Sequence, residues 1–217
     1  SLIDENKWER IWLPEYFCYE VVSAIEKTGI KVLFYPDNPL NDDENIVPNI
    51  NYKEGDVLFR INYFGLREWR TNKGIPVAVI EDHSHDLIGD WALNSDADWC
   101  IASIRKIIPI PEGGIIWSPK KHPLPKIASQ SDENLILVKN RWKAMMLKSD
   151  YLKEKISSKT EFRNLFVETE KQFSSLPISS LTPDCMDYLS HFNIKEWVDK
   201  KKHNWEILSG IKSKKIQ

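Results

Sequence analysis

The feature that most constrains this chain is a rhythm. Short runs of β-branched and aromatic residues, Arg10 to Leu13, Ile30 to Tyr35, Val57 to Asn62, Val77 to Ile80, Trp99 to Ser103 and Gly114 to Trp117, alternate with helical or turn-like stretches. Such alternation predicts an α/β fold. Between the first two runs, Tyr16 to Lys27 carries Val21, Val22 and Ile25 at near-helical spacing, and Thr28-Gly29 supplies a stop. A strand, a helix and a parallel strand follow by the usual crossover rule. Asp37 to Tyr52 is rich in Asn, Asp and Pro and reads as a surface excursion without regular structure.

The rhythm then changes. From Asn134 onward the pattern is of long helices, Leu135 to Lys155, Thr160 to Phe173 and Ile194 to Leu208, interrupted by the Ser- and Pro-bearing segment Ser174 to Pro183. Two zones are expected: a sheet-based domain over residues 1–125 and a helical extension over 126–217. Lys200-Lys-Lys202 and Lys212 to Lys215 read as the wet face and frayed end of a helix.

Composition narrows the partners. With 217 residues the chain can bury one sizeable core, and a net charge of -2 with a pI near 6.2 gives no electrostatic reason to expect nucleic acid or an anionic membrane. No apolar run approaches the roughly 20 residues of a membrane helix. Cys18, Cys100 and Cys185 are odd in number and far apart, which suits a reducing, cytoplasmic compartment rather than a disulfide framework. Small-molecule chemistry is the expectation.

The densest reactive cluster is Glu81-Asp82-His83-Ser84-His85-Asp86, directly after the apolar run Val77 to Ile80. Ligands of open parallel sheets sit at the carboxyl ends of strands, so the address is suggestive. Trp99 to Ser103 runs into Ser103-Ile-Arg-Lys106, and Glu112-Gly-Gly114 opens the next strand. A lysine just past a buried strand can be partly desolvated, which makes its amine nucleophilic toward an aldehyde.

Taken in order, Ile80-Glu-Asp82-x-x-His85, Ser103-x-x-Lys106 and Glu112-Gly-Gly114 resemble the DegT/StrS-type family of fold-type-I enzymes that use pyridoxal 5'-phosphate (PLP). Ile11-Trp-Leu-Pro14, Lys31 to Tyr35 and Ile61-Asn-Tyr-Phe-Gly65 extend the resemblance. It implies a fold-type-I large domain, with a mostly parallel sheet flanked by helices, and a homodimer. It also implies amino transfer from an amino acid, glutamate foremost, to a keto-sugar carried on a nucleotide. By this similarity Asp82 would pair with the pyridine nitrogen and His85 would lie near the phenolic oxygen. Lys106 would bond to the cofactor aldehyde and move the substrate proton, and Ser103 would hydrogen-bond the phosphate. By the same resemblance the family's phosphate-cradling segment would precede Ser1, and its small domain would follow about Asn204-Trp205. The position of the ring-stacking aromatic falls on Cys18, and that of a serine five residues before the lysine on Ile101.

Other readings compete. The chain can be a shortened relative that binds or regulates without catalysing. His83 and His85 alternate, so on an extended segment they face the same way, and with Asp86 they would make a metal-dependent hydrolase. Lys106 beside Arg105 can be a solvated pair, and Asp82 a simple cap of the next turn.

Overall fold

The structure, a computed structural model, describes residues 1–210 apart from Asp42, Glu44 and Ser174. Of the two lysine runs expected to be wet, Lys200 to Lys202 are exposed on a helix, whereas Lys212 to Lys215 lie outside the described residues. The chain divides into two compact units, Ser1–Ser180 and Leu181–Gln217.

The larger unit is α/β. Its sheet is built from β1 (Arg10–Pro14), β2 (Lys31–Tyr35), β3 (Asp56–Ile61), β4 (Ala78–Asp82), β5 (Trp99–Ser103) and β6 (Gly114–Trp117), in the order β2-β1-β3-β4-β5-β6. All pairings are parallel except β5 with β6. Two short helices, α1 (Leu2–Asn6) and α3 (Asp90–Asn94), and the amphipathic α2 (Tyr19–Glu26) complete the sheet region. Each expected run became a strand to within a residue or two at its ends, as hydrogen-bonded ladders fray there.

Side chains alternate across the sheet and make two cores. On one face Ile11, Leu13, Val57, Phe59, Ile61, Ile80 and Trp99 pack with Val22 of α2 and with Ile3, Trp8 and Phe17. On the other, Tyr35, Leu58, Val79, Ala97 and Cys100 are covered by Ile46, Val47, Ile50, Tyr52 and Ile75. Every residue of β3 is buried, which places it at the centre; full burial of each such aliphatic side chain is worth about 1.5–3 kcal/mol. The excursion from Asp37 to Tyr52 is irregular, as its composition predicts. It is more than a surface loop, however, because its apolar residues form the lid of the second core.

The charged end of the sheet opposite the candidate site is closed by Asp56. Its carboxylate accepts from Arg10 Nε at 2.5 Å, Trp12 Nε1 at 2.9 Å and Lys53 N at 2.9 Å. Burial alone would raise its pKa; these bonds outweigh it and hold the carboxyl below the usual range.

Two helices belong to the same unit, α4 (Asp132–Leu152) and α5 (Thr160–Phe173). Ser131 caps α4 through its side chain, which accepts from Asn134 N. Arg141 of α4 is buried. Its Nε donates to the carbonyl of Pro111 at 2.9 Å and its Nη1 to Glu170 of α5 at 2.7 Å, while its guanidinium lies over Phe173. The helical zone is thus pinned to the loop between the candidate lysine and β6. The second unit holds α6 (Pro183–His191), a helix that the sequence pattern does not announce, and α7 (Ile194–Gly210). Phe192 joins them through ring contacts with Tyr188 and Trp197. Among the described residues no helix is long and apolar enough to cross a membrane.

Candidate functional site

The carboxyl ends of β3, β4 and β5 form one cross-linked ledge. Register puts Asp82 beside Ile61 on one side and Ile101 on the other. Asn62 N donates to the carbonyl of Asp82 at 2.9 Å, and His83 N donates to that of Ile101 at 2.8 Å. Asp82 Oδ1 accepts from Ser84 N at 2.8 Å, which turns the chain sharply at the strand's end. Ser84 Oγ then accepts from Ser103 N at 2.8 Å and ties the tips of β4 and β5 together.

His85 stands on this ledge, half-buried. One face of its ring lies parallel to the Phe64 ring, with centroids 4.5 Å apart and planes 2° from parallel. Lys106 Nζ lies 3.4 Å from His85 Nε2; an ammonium has only protons to give, so the imidazole nitrogen accepts. Burial, then the nearby Lys106 charge, lowers the His85 pKa below its usual value, and Asp82 opposes the shift. The same imidazole therefore feels both Asp82 and Lys106.

Phe64 is presented by an unusual turn. Phe64 and Gly65 both have positive φ, 56° and 66°, and Leu66 N closes the turn on the Tyr63 carbonyl at 3.0 Å. Glycine is at ease there; a phenylalanine is not, and left-handed backbone at a non-glycine residue tends to persist where neighbours over-determine it. One such neighbour is Asp86, which is wedged between Gly65 and Gly89. A Cβ on Gly65 would meet its Oδ2 at 2.7 Å, and one on Gly89 would overlap it.

Lys106 ends a single 3₁₀ turn, Ile104–Lys106, that follows β5. Ile104 N donates to the Gly113 carbonyl at 3.1 Å, so the Glu112-Gly-Gly114 segment returns directly beneath the lysine. Gly113 adopts φ 121°, a conformation that favours glycine. Lys106 itself is exposed. This corrects the expectation of a desolvated amine: the turn carries the side chain clear of the sheet, and His85 is the more buried partner. Nor are Arg105 and Lys106 a solvated pair. Arg105 lies over Phe173 and reaches Glu170 at 3.4 Å, away from the ledge.

The two histidines also part company. Because β4 stops at Asp82 and the chain turns, His83 is fully buried between Trp91 and Trp117, while His85 faces Phe64 and Lys106. The shared-face expectation for His83 and His85 is thereby overturned. Among the described residues, His83, His85 and Asp86 do not gather as metal ligands.

Asp82, His85, Ser103 and Lys106 thus lie at one end of the sheet. Phe64 is a site residue that sequence reasoning missed: it falls within the Ile61 to Gly65 run, where nothing in the spacing gives it a task. The signal available was an aromatic residue before a glycine, directly after a buried strand. Comparison with protein-family models and with curated proteins finds no match for this chain.

Proposed function

We propose that this chain holds PLP on the ledge formed by β4 and β5, as the core of a fold-type-I aminotransferase of the DegT/StrS type. The observation that carries the reading is the meeting of Lys106 with His85, three residues beyond Asp82, across the tips of two adjacent parallel strands. An amine, an imidazole and a carboxylate on one ledge are the groups such a cofactor needs. PLP when bound supplies an aldehyde that condenses with amines and a ring that stabilises negative charge.

The residues divide the work. Lys106 would supply the amine that holds the cofactor and the group that moves the proton at the substrate carbon. The Asp82 carboxylate would pair with the pyridine nitrogen. His85, whose pKa burial and Lys106 lower, would offer a hydrogen bond near the ring's oxygen. Ser103 stands at the end of β5 for the phosphate, and the Phe64 ring, exposed on its outer side, offers an apolar face where the sequence has Cys18 in the family's stacking position. The substrates proposed are an amino acid donor, glutamate foremost, and a keto-sugar nucleotide. Exposed Tyr16, Tyr19, Leu66 and Trp69, in or beside loops at this same end, support a second copy of the chain closing over the ledge. Three free cysteines support a reducing, cytoplasmic setting.

A second reading, a PLP-fold module that binds or regulates without catalysing, is favoured by the solvent exposure of Lys106. Absorbance separates the two. Chain mixed with PLP and freed of excess should absorb in the visible, lose that band in Lys106→Ala and convert glutamate to its keto acid. A colourless wild-type chain under these conditions refutes the enzyme reading.

A further inference from the structure

Beneath the ledge, on the opposite face of β4, lies a second cluster that the proposed chemistry does not use. Glu81 and His83 are two residues apart, and Cys100 is the register partner of Glu81 on β5, so the sheet geometry itself brings the three side chains together. All three are completely buried. A carboxylate oxygen, an imidazole nitrogen and the thiol sulfur lie within 4.8 Å of one another.

Most of this cluster is well bonded. Glu81 Oε1 accepts from Asn72 Nδ2 at 2.9 Å and from Arg60 Nη1 at 3.5 Å, and Oε2 accepts from Ser95 Oγ at 2.6 Å. Ser95 Oγ also lies 3.2 Å from Cys100 Sγ. His83 is the exception. Its Nε2 sits 3.3 Å from Glu81 Oε2, an ion-pair distance without the geometry of a full hydrogen bond, and Asn62 Oδ1, on the residue that faces its other nitrogen, is buried and unpartnered. Buried polar atoms so imperfectly bonded are costly, and a cation held between the nitrogen and the carboxylate removes that cost.

We propose that Glu81, His83 and Cys100 form a structural site for a divalent metal of borderline softness, zinc foremost. Carboxylate, imidazole and thiolate are the donor types zinc takes, at about 2.0–2.3 Å, which sets donor-to-donor separations of about 3 to 4 Å. The present separations come into that range by small inward side-chain shifts. The Ser95 hydroxyl, in reach of both Glu81 and Cys100, stands where a fourth neutral donor is needed. A half-turn of the Asn62 amide would let its oxygen accept from His83 Nδ1–H, leaving the Nε2 lone pair for the metal. Binding releases the thiol proton of Cys100. The thiolate and Glu81 then neutralise the dication, and Arg60 keeps Asn72, the Arg70 carbonyl and the Trp91 ring as partners. Enclosed on all sides, the ion would be captured as the chain folds, stapling β4 to β5 directly below Asp82 and the lysine turn.

Cobalt tests this without PLP. The full chain, unfolded, stripped of metal and refolded with CoCl2 alone, should retain one Co²⁺ per chain with intense tetrahedral visible bands and a thiolate-to-cobalt band in the near ultraviolet, both absent when excess ZnCl2 is present during refolding. Cys100→Ser should lose the thiolate band, and His83→Gln should weaken binding at least tenfold, while Cys18→Ser/Cys185→Ser should change neither. Should the buried variants fail to fold, the wild type still decides: ZnCl2 must raise its melting temperature in a concentration-dependent way. Absent Co²⁺ retention, no zinc-dependent melting shift, or a spectrum unchanged in folded Cys100→Ser would each overturn the site.

Discussion

Arg141→Met isolates what the helical zone contributes to the ledge. Arg141 makes three kinds of contact: hydrogen bonds to the Pro111 carbonyl and to the Thr169 hydroxyl, which keeps the Leu165 carbonyl as its own acceptor, an ion pair with Glu170, and ring contacts with Phe166 and Phe173. They do not count equally. The Glu170 side chain is 58% exposed, so on losing its partner it rehydrates, and a half-exposed pair of this kind is worth no more than about 1 kcal/mol. Methionine refills much of the stem's volume against the two phenylalanines. The dominant loss is the carbonyl of buried Pro111, left without its charged donor at a cost of about 1–3 kcal/mol. The expected total is about 2–3 kcal/mol, or a fall of roughly 4–12 °C in melting temperature for a chain of this size. Urea unfolding of Arg141→Met, Glu170→Gln and the double variant measures it. The cycle should give a coupling below about 1 kcal/mol, because the carboxylate is half in water. A destabilisation of Arg141→Met under about 0.5 kcal/mol, or a coupling above about 2 kcal/mol, would refute the assignment of the loss to Pro111.

The ledge itself yields further expectations. Gly89→Ala places a methyl group on Asp86 and should destabilise by about 1–3 kcal/mol, with Asp86→Ala in the same chain restoring most of it; equal stability of Gly89→Ala and wild type contradicts the wedge. In NMR titration, Lys106→Met should raise the His85 pKa and Asp82→Asn should lower it, since these charges act on it in opposite senses; shifts of the same sign would discard the arrangement. Because folding depresses the His85 pKa, the unfolded chain binds its proton first. Stability should therefore be lost as pH falls from the usual histidine value through the lower folded one, and Phe64→Ala, by uncovering the ring, should shrink that loss.

Much of the framework was legible because strands buried on both faces announce themselves as unbroken apolar runs. Val57 to Phe59 and Trp99 to Ala102 are examples, and Thr28-Gly29 marked the end of α2 correctly within its turn. That the residues after β4 and β5 reach one edge was legible from their places at strand ends, whereas the choice of Asp82, His85, Ser103 and Lys106 among them came from the family resemblance. Three things were not. Period-two reasoning put His83 with His85 because it could not see that Asp82 Oδ1 captures Ser84 N and ends the strand. The burial of Ile46, Val47 and Tyr52 was hidden by the Asn, Asp and Pro around them, which govern backbone shape but not where the few apolar side chains go. The partnership of Glu81 with Cys100 needed a strand register, and register is a property of two segments that neither encodes by itself.

The reversal at the end of β5 has a mechanical consequence. The chain climbs β5, turns through residues 104–113 and descends β6, antiparallel to β5, with Ile104 and Gly113 bonded across the base of the loop. A loop clasped at both feet cannot swing as a flap, so the reach of the amine is set by its own four methylenes. Any travel it makes toward a substrate is a matter of side-chain rotation, fast and local, with the polypeptide standing still around it.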